Sequence, residues 1–304
     1  WARAGTTGQV LRDVDRVDFA LVQEPRAIYD QPNLASAMGE HRGVVADLIA
    51  EYQRDGKIEW QDEVHPGADG KVPIPAFAHC ILPWGSTTKA GSDKRRPYLH
   101  ASCAGGGPNA AMGGWSTRMP SPEHALQVLR AGQFLGKRDW CAGFHHCILA
   151  DGSRRLMAFR HPGTGPGCPS EGRVGRFVSM PFGGSQCPGR FTDIAFELLR
   201  IARAELERAG LGSVTLVGFV DDVLLAADSH EDLVAAFTVL DNLGDRLGVE
   251  WAPHKDEGRE QPVQQIIFCG MGLDTRDEPL LTVAADKVAR YQATVSAALV
   301  EAGN

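Results

Sequence analysis

Two adjacent aspartates, Asp221 and Asp222, stand inside the apolar run "LVGFVDDVLL" (216–225). Burying one unpaired carboxylate is costly, and two side by side disfavour each other's ionised form. The flanking runs "SVTLVGF" and "VLLAA" are rich in β-formers, which predicts a hairpin with the acids at its turn. Carboxylates exposed at a hairpin tip make a platform for a divalent cation. Mg²⁺ takes oxygen ligands and borrows the rest of its shell from phosphate and water. Such an ion would relieve the repulsion between Asp221 and Asp222, and a third acid should approach from elsewhere. Asp139, in "GKRDWCAGF", is the best candidate, because it follows a predicted helix and sits where a strand should begin. Taken alone, the pair also fits a solvated Asp-type turn.

The elements that must position these acids alternate irregularly. "EHRGVVADLIAEYQRDGKIEW" predicts a helix with Val44, Val45, Leu48, Ile49 and Tyr52 on one face and Gly56 as its stop. A Gly/Asp/Pro loop follows from His65 to Pro75, then a strand in "AFAHCILPW" and a turn leading into another in "KAGSDKRRPYLHAS". "ASCAGGGPNAAMGGWS" is a Gly-rich loop without the Gly-Lys-Ser/Thr ending of a phosphate-binding loop. "SPEHALQVLRAGQFLGK" predicts a helix capped by Ser121 with Pro122 in its first turn, and "RDWCAGFHHCIL" leads from it into a strand. "RFTDIAFELLRIARAELERAG" is a long amphipathic helix ended by Gly210. "SHEDLVAAFTVLDNLGDRLG" is another, with Ser229 and Asp232 forming a capping pair. "VQQIIFCGMGLDT" is a strand, and "LTVAADKVARYQATVSAALVEA" starts a last helix. Hairpins mixed with helices predict α+β architecture rather than a doubly wound parallel sheet.

Composition narrows the function classes. The 304 residues are 43% hydrophobic and 23% charged, which suits two or three globular cores. No apolar run reaches the ~18 residues of a membrane span, and no signal core opens the chain. An intracellular, cytoplasmic or nuclear location is therefore expected, with no membrane partner. Without an initial Met, the chain reads as a piece of a longer polypeptide. Seven scattered cysteines without a CxxC pair argue against a disulfide framework. "CAGFHHC" has zinc-type ligands, but only a compact tetrahedral loop could use them. A net charge of -7 speaks against a uniformly basic nucleic-acid surface, although "KRRP" (94–97) is a local basic stripe.

Six motifs occur together in the order of one family. "FVDD" resembles the signature box of reverse transcriptases, an aromatic and any residue before two aspartates. "KRDWCAGFHHCIL" resembles the first palm motif, with Asp139 opening it and Phe144 five positions on. "MPFGGSQCPGRFTDI" resembles the family's segment before the palm helix, "LGVEWAPHKDEG" the segment ending in a Lys, and "IFCGMGLD" the primer-grip hairpin. "DKRRPYLHAS" resembles the fingers segment with its Lys-x-Arg pair, Lys94 and Arg96. The likeness covers roughly residues 40–300 and has a retrotransposon flavour, of the LTR or tyrosine-recombinase kind.

The resemblance implies a right-hand polymerase with fingers and palm, the palm an antiparallel sheet backed by helices on an RRM/ferredoxin-like core. It implies an N-terminal extension over 1–40, fingers over 41–136, a palm over 137–275 with a fingers insertion around 155–180, and the start of a thumb over 276–304. It implies RNA-directed DNA synthesis by two-metal phosphoryl transfer, with Asp139 and Asp221 holding two Mg²⁺ (or Mn²⁺) ions and Asp222 assisting. Lys94 and Arg96 would grip the dNTP triphosphate, Arg by bidentate contact. Phe144 would exclude a ribose 2′-hydroxyl, Phe182 and Gly183 would line the nucleotide site, and Lys255 would donate a proton to pyrophosphate. Phe268 and Gly270 would form the primer grip. The implied partners are an RNA/DNA template-primer, dNTPs, and further domains of a polyprotein such as RNase H, integrase or recombinase. Two other readings of the same palm are an RNA-dependent RNA polymerase, disfavoured by Phe144 and by "FVDD" in place of "GDD", and an inactive nucleic-acid-binding remnant.

Overall fold

The structure is a computed structural model that describes residues 2, 6, 8–23, 29–61, 73–88, 95–102, 107–115, 121–164, 170–283 and 285–302. The chain folds as a mixed α/β protein in two compact units. One comprises Trp1–Thr117 with Ala142–Ile194, the other Arg118–Cys141 with Ala195–Asn304. The expected fingers–palm boundary at 136/137 falls inside a strand, and the expected insertion at 155–180 lies within the longer 142–194 excursion.

The first unit carries a five-stranded mixed sheet in the order Tyr29–Asp30, Cys80–Leu82, Ala158–Arg160, Val174–Phe177, Ile58–Trp60. Beside it, Trp84–Thr88 and Arg95–Leu99 pair as an antiparallel ribbon. Trp84, Phe159 and Phe177 pack ring on ring at centroid distances of 5.2–6.1 Å, a geometry that adds to their burial. The helix predicted after His41 runs Arg42–Arg54 and buries Val45, Ile49 and Tyr52, whereas Val44 faces solvent. The expected strand in "CAGFHHCIL" is instead a 3-10 turn, Gly143–His146, that starts from Ala142 at φ 48°.

The second unit contains, in chain order, α1 (Pro122–Val128), β1 (Phe134–Asp139), α2 (Cys187–Arg208, its first eight residues belonging to the other unit), β2 (Thr215–Phe219), β3 (Asp222–Ala227), α3 (His230–Leu247), β4 (Gln265–Phe268), β5 (Met271–Asp274), β6 (Leu280–Val283) and α4 (Ala285–Ala302). β1, β3 and β2 form an antiparallel sheet in that spatial order, with β3 central. On the far side of β1, isolated bridges at Leu135–Val263, Lys137–Glu257 and Trp140–Trp251 add a vestigial fourth edge. β4, β5 and β6 make a second antiparallel sheet.

Period-two alternation sorts the faces. Leu135, Leu224 and Ala226 pack with Ala125, Leu129, Ile266, Phe268 and Leu273. Gly136 and Arg138 face α3, where a Cβ on Gly136 would press into Phe237. Ser229 caps α3 by accepting from the Asp232 N–H at 3.0 Å, as its spacing predicts.

Three segments depart from expectation. Residues 134–139 are strand, not the continuation of a helix, because the helix stops at Val128 and the chain turns through Gly132 at φ 78°. Asp139 therefore ends a strand rather than opening one. "QIIFCGMGLD" is a hairpin of two strands, turned by Cys269 and Gly270 at φ 51° and 73°. Residues 280–283 are strand before α4 begins.

Candidate active site

The hairpin expected around the acid pair is present. Phe219 pairs with Asp222, leaving Val220 and Asp221 as a two-residue turn. Val220 takes the left-handed region at φ 56°, a conformation a β-branched residue adopts only under strain of roughly 1–3 kcal/mol. The Trp140 N–H donates to the Asp221 carbonyl at 2.8 Å and ties the turn to the end of β1.

The register places Asp222 directly opposite Asp139. Alternation puts both on the face that carries Leu135, Leu224 and Ala226 lower down. Like charges opposite one another destabilise a sheet. Burial, then Asp221, then Asp139 push the Asp222 carboxyl up to about 6. Lys255 answers part of this charge by donating to Asp139 through its ammonium, and that hydrogen bond raises the Lys255 pKa. Lys137 ion-pairs with Glu257 and donates to the Ile267 carbonyl at 3.2 Å. A cavity of about 360 Å³ opens here, lined by Lys137, Asp139, Asp222 and the segment from His254 to Glu257.

The donor types suit a divalent cation: hard carboxylate oxygens that repel one another at a strand end. Among the described residues no group of three or more His, Cys, Asp or Glu side chains is placed to hold a metal ion, and Asp139 is engaged by Lys255. Asp139 would have to exchange the ammonium for a metal ion.

The electrostatics give a stability expectation. A folded-state pKa above the unfolded value means that the native state binds more protons between pH ~4 and ~6. Stability therefore falls as pH rises through that window and stays reduced at neutral pH. Two pKa units correspond to roughly 3 kcal/mol at full burial, and the partly exposed carboxyl keeps about a third of that. Asp222→Asn should raise the metal-free unfolding free energy at pH 7 by about 1 kcal/mol and flatten its fall between pH 4 and 6. Urea denaturation across pH checks both.

Other expected site residues divide between the units. In the first, Phe144 lies half-buried between Phe182 and Phe191, at ring centroid distances of 5.0 and 5.1 Å. Phe182 is 51% exposed. Gly183 sits at φ 125°, and a Cβ there would overlap the Leu99 carbonyl oxygen. The close approach that requires glycine is thus to the chain's own strand, whose Leu99 N–H donates to the Phe182 carbonyl at 3.1 Å. Gly183→Ala should cost about 2–3 kcal/mol of stability, readable as a lowered thermal midpoint. Arg96 is exposed on the ribbon, while Lys94 lies outside the described residues.

In the second unit, Phe268 is 1% exposed within the core. Its side chain can brace the β4–β5 hairpin but cannot itself touch a primer. Gly270 lies in the turn, where a Cβ would meet the Lys287 ammonium. Lys137 and His254 were not anticipated at the acid cavity. Lys137 lies two residues before Asp139 on the same strand face, a signal usable only once 134–139 is assigned as strand.

No family model and no curated protein matches this sequence. The fold, by contrast, is similar to solved reverse transcriptases. The foamy viral protease-reverse transcriptase dRH, in complex with double-stranded DNA, superposes with TM-score 0.65 at 13% identity over 91% of this chain and 41% of that one. The same viral protein bound to an RNA/DNA hybrid gives 0.63 at 13% identity over 91% and 31%. The native prototype foamy virus protein gives 0.60 at 15% identity over 86% and 30%. The chain thus spans well under half the length of these proteins. Its fold is reverse-transcriptase-like. Among the described residues no helix is long and apolar enough to cross a membrane.

Proposed function

We propose that this chain is the fingers–palm portion of a nucleic-acid polymerase that extends a primer with dNTPs on an RNA or DNA template. The observation that carries the reading is the cross-strand pairing of Asp139 with Asp222 beside the Asp221 turn, where burial and the neighbouring acids push the Asp222 carboxyl up to about 6. The fold likeness supports it, as do the foamy viral relatives described in complexes with double-stranded DNA and an RNA/DNA hybrid.

On this reading the second unit is the palm on a ferredoxin-like core, with β6 and α4 at the start of the thumb, and the first unit carries the fingers. Asp139 and Asp221 would hold two Mg²⁺ ions, with Asp222 assisting, and Mn²⁺ would substitute. Bound there, the metals supply charge neutralisation at the transferring phosphate and acidify the primer 3′-hydroxyl. Lys255, released from Asp139, would present a proton to the departing pyrophosphate. Lys94 and Arg96 would neutralise triphosphate oxygens. Phe144, braced by Phe191 and capped by the exposed Phe182 ring, would form the wall that excludes a 2′-hydroxyl. The β4–β5 turn at Gly270 would guide the primer by its backbone, with Phe268 holding it from beneath. The parent would be a retrotransposon polyprotein carrying further catalytic domains.

Primer extension on poly(rA)/oligo(dT) tests the assignment. Wild-type protein should incorporate dTTP in preference to UTP, and Phe144→Ala should narrow that preference by at least about tenfold. Preference for UTP would point to an RNA polymerase. Absence of any extension with Mg²⁺ or Mn²⁺ would point to an inactive remnant.

A further inference from the structure

The outer edge of the β1–β3–β2 sheet carries a second site, independent of what the acid cluster does. β2 is the edge strand. Because Phe219 pairs with Asp222 across a two-residue turn, Phe219, Val217 and Thr215 spend their backbone bonds on β3. Leu216 and Gly218 therefore direct their N–H and C=O groups outward. The Leu216 carbonyl accepts from Arg203 Nη2 at 2.9 Å. The Leu216 N–H and both Gly218 groups have no partner among the described residues.

Along this edge runs a cavity of about 710 Å³ between α1 and α2. Val128, Phe196, Leu199 and Leu206 give it an apolar lining, and Arg203 and Glu207 stand in it one helical turn apart. Among the described residues neither charge forms an ion pair. Exposed edges are normally blunted, covered or paired. Here unpaired backbone groups, apolar walls and two uncompensated charges occur together.

We propose that this groove binds an extended segment of a partner polypeptide, added to β2 as a further strand. The charges specify its chemistry. Arg203 and Glu207 are four residues apart on α2, or roughly 6 Å, which matches the ~6.7 Å between alternate residues of a strand. The partner carries an acidic residue facing Arg203 and a basic residue two positions away facing Glu207, with small apolar residues between them. Main-chain bonds to the Leu216 N–H and to both Gly218 groups supply affinity, and the side chains supply selection. A second copy of this chain fits less well, because its own flanking helices would have to share the groove.

Fluorescence anisotropy with a fluorescein-labelled seven-residue peptide, Ser-Val-Lys-Val-Glu-Val-Ser, tests this on the full chain. Saturable binding is expected, and N-methylation of alternate peptide amides should weaken it at least tenfold. Arg203→Glu should weaken it similarly, with recovery when the peptide's Glu is replaced by Lys. Leu216→Pro removes an outward N–H that β3 does not use and should lose binding; because it also removes a side chain only 3% exposed, its fold is checked by circular dichroism, and the N-methylated peptides test the same bonds on the unaltered chain. No saturable binding would overturn the proposal. So would binding indifferent to N-methylation and to both variants, or concentration-dependent self-association that Leu216→Pro abolishes.

Discussion

Asp221→Asn should reduce primer extension by at least about 10³-fold while leaving the fold intact. The carboxylate sits in a two-residue turn whose backbone geometry is set by the Phe219–Asp222 pair and the Trp140 N–H, none of which involves its side chain. Asn keeps the shape and removes the charge, so the loss would report chemistry rather than folding. Removing one preorganised electrostatic partner of a transition state costs roughly 10²–10³ in rate, and losing a ligand shared by two metals belongs at the upper end or beyond. Asp139→Asn should cost as much, and it should also weaken the Lys255 hydrogen bond by removing the charge of its acceptor. Asp222→Asn should cost less, since an assisting ligand can be replaced by water, and it should raise metal-free stability. Single-turnover extension beside urea denaturation separates these outcomes. Equal activity of Asp221→Asn and wild type would remove the acid pair from the mechanism.

The second large effect is on stability. Arg138 is 1% exposed and lies on the face of β1 opposite to Asp139. Its guanidinium pairs with Asp256 at 2.8 Å and Asp241 at 2.7 Å, and it stacks on Phe237 and Trp251 at 5.2 and 4.9 Å from their centroids. Asp256 has a side chain only 5% exposed, so truncating Arg138 leaves a buried carboxylate behind. Breaking a buried pair from one side costs ~3–5 kcal/mol. Arg259 stands 3.6 Å from Asp256 and softens the loss, which places Arg138→Met near the lower bound. Arg138→Met with Asp256→Leu should recover most of it, because both charges leave together. Chemical denaturation of the two variants checks this; a double variant no more stable than the single would contradict it. The pair also links β1 to the segment that carries Lys255, so Arg138→Met should weaken extension beyond its effect on the folded fraction.

The acid hairpin was legible because a two-residue acidic turn between two β-rich runs leaves one arrangement that keeps the apolar residues buried and the carboxylates at the tip. The α3 cap was legible for a similar reason: Ser229 and Asp232 act within one turn of helix. The position of Asp139 was harder. Apolar residues at Ala125, Val128 and Leu129 imitate a helix continuing into "QFLGK", and β1 hides its strand character by burying Arg138 on one face and aligning Lys137 and Asp139 on the other. The hydrogen bond from Lys255 to Asp139 joins residues 116 apart, which no local pattern encodes. The grouping of α1 and β1 with residues after 195 is equally non-local, since it follows from the pairing of β1 with β3. Gly183 is expected from the family likeness at the nucleotide site; that its glycine is required by the close approach of the Leu99 carbonyl is visible only in the structure.

The most direct test of the central claim, that the three aspartates hold charge meant for cations, is carbon-13 NMR of the Asp222 carboxyl during pH titration with and without Mg²⁺. In metal-free buffer it should titrate near 6, held up by burial and by Asp221 and Asp139. With saturating Mg²⁺ the midpoint should fall by at least about one unit, because a bound cation favours the ionised form. A midpoint that Mg²⁺ leaves unchanged would contradict the account.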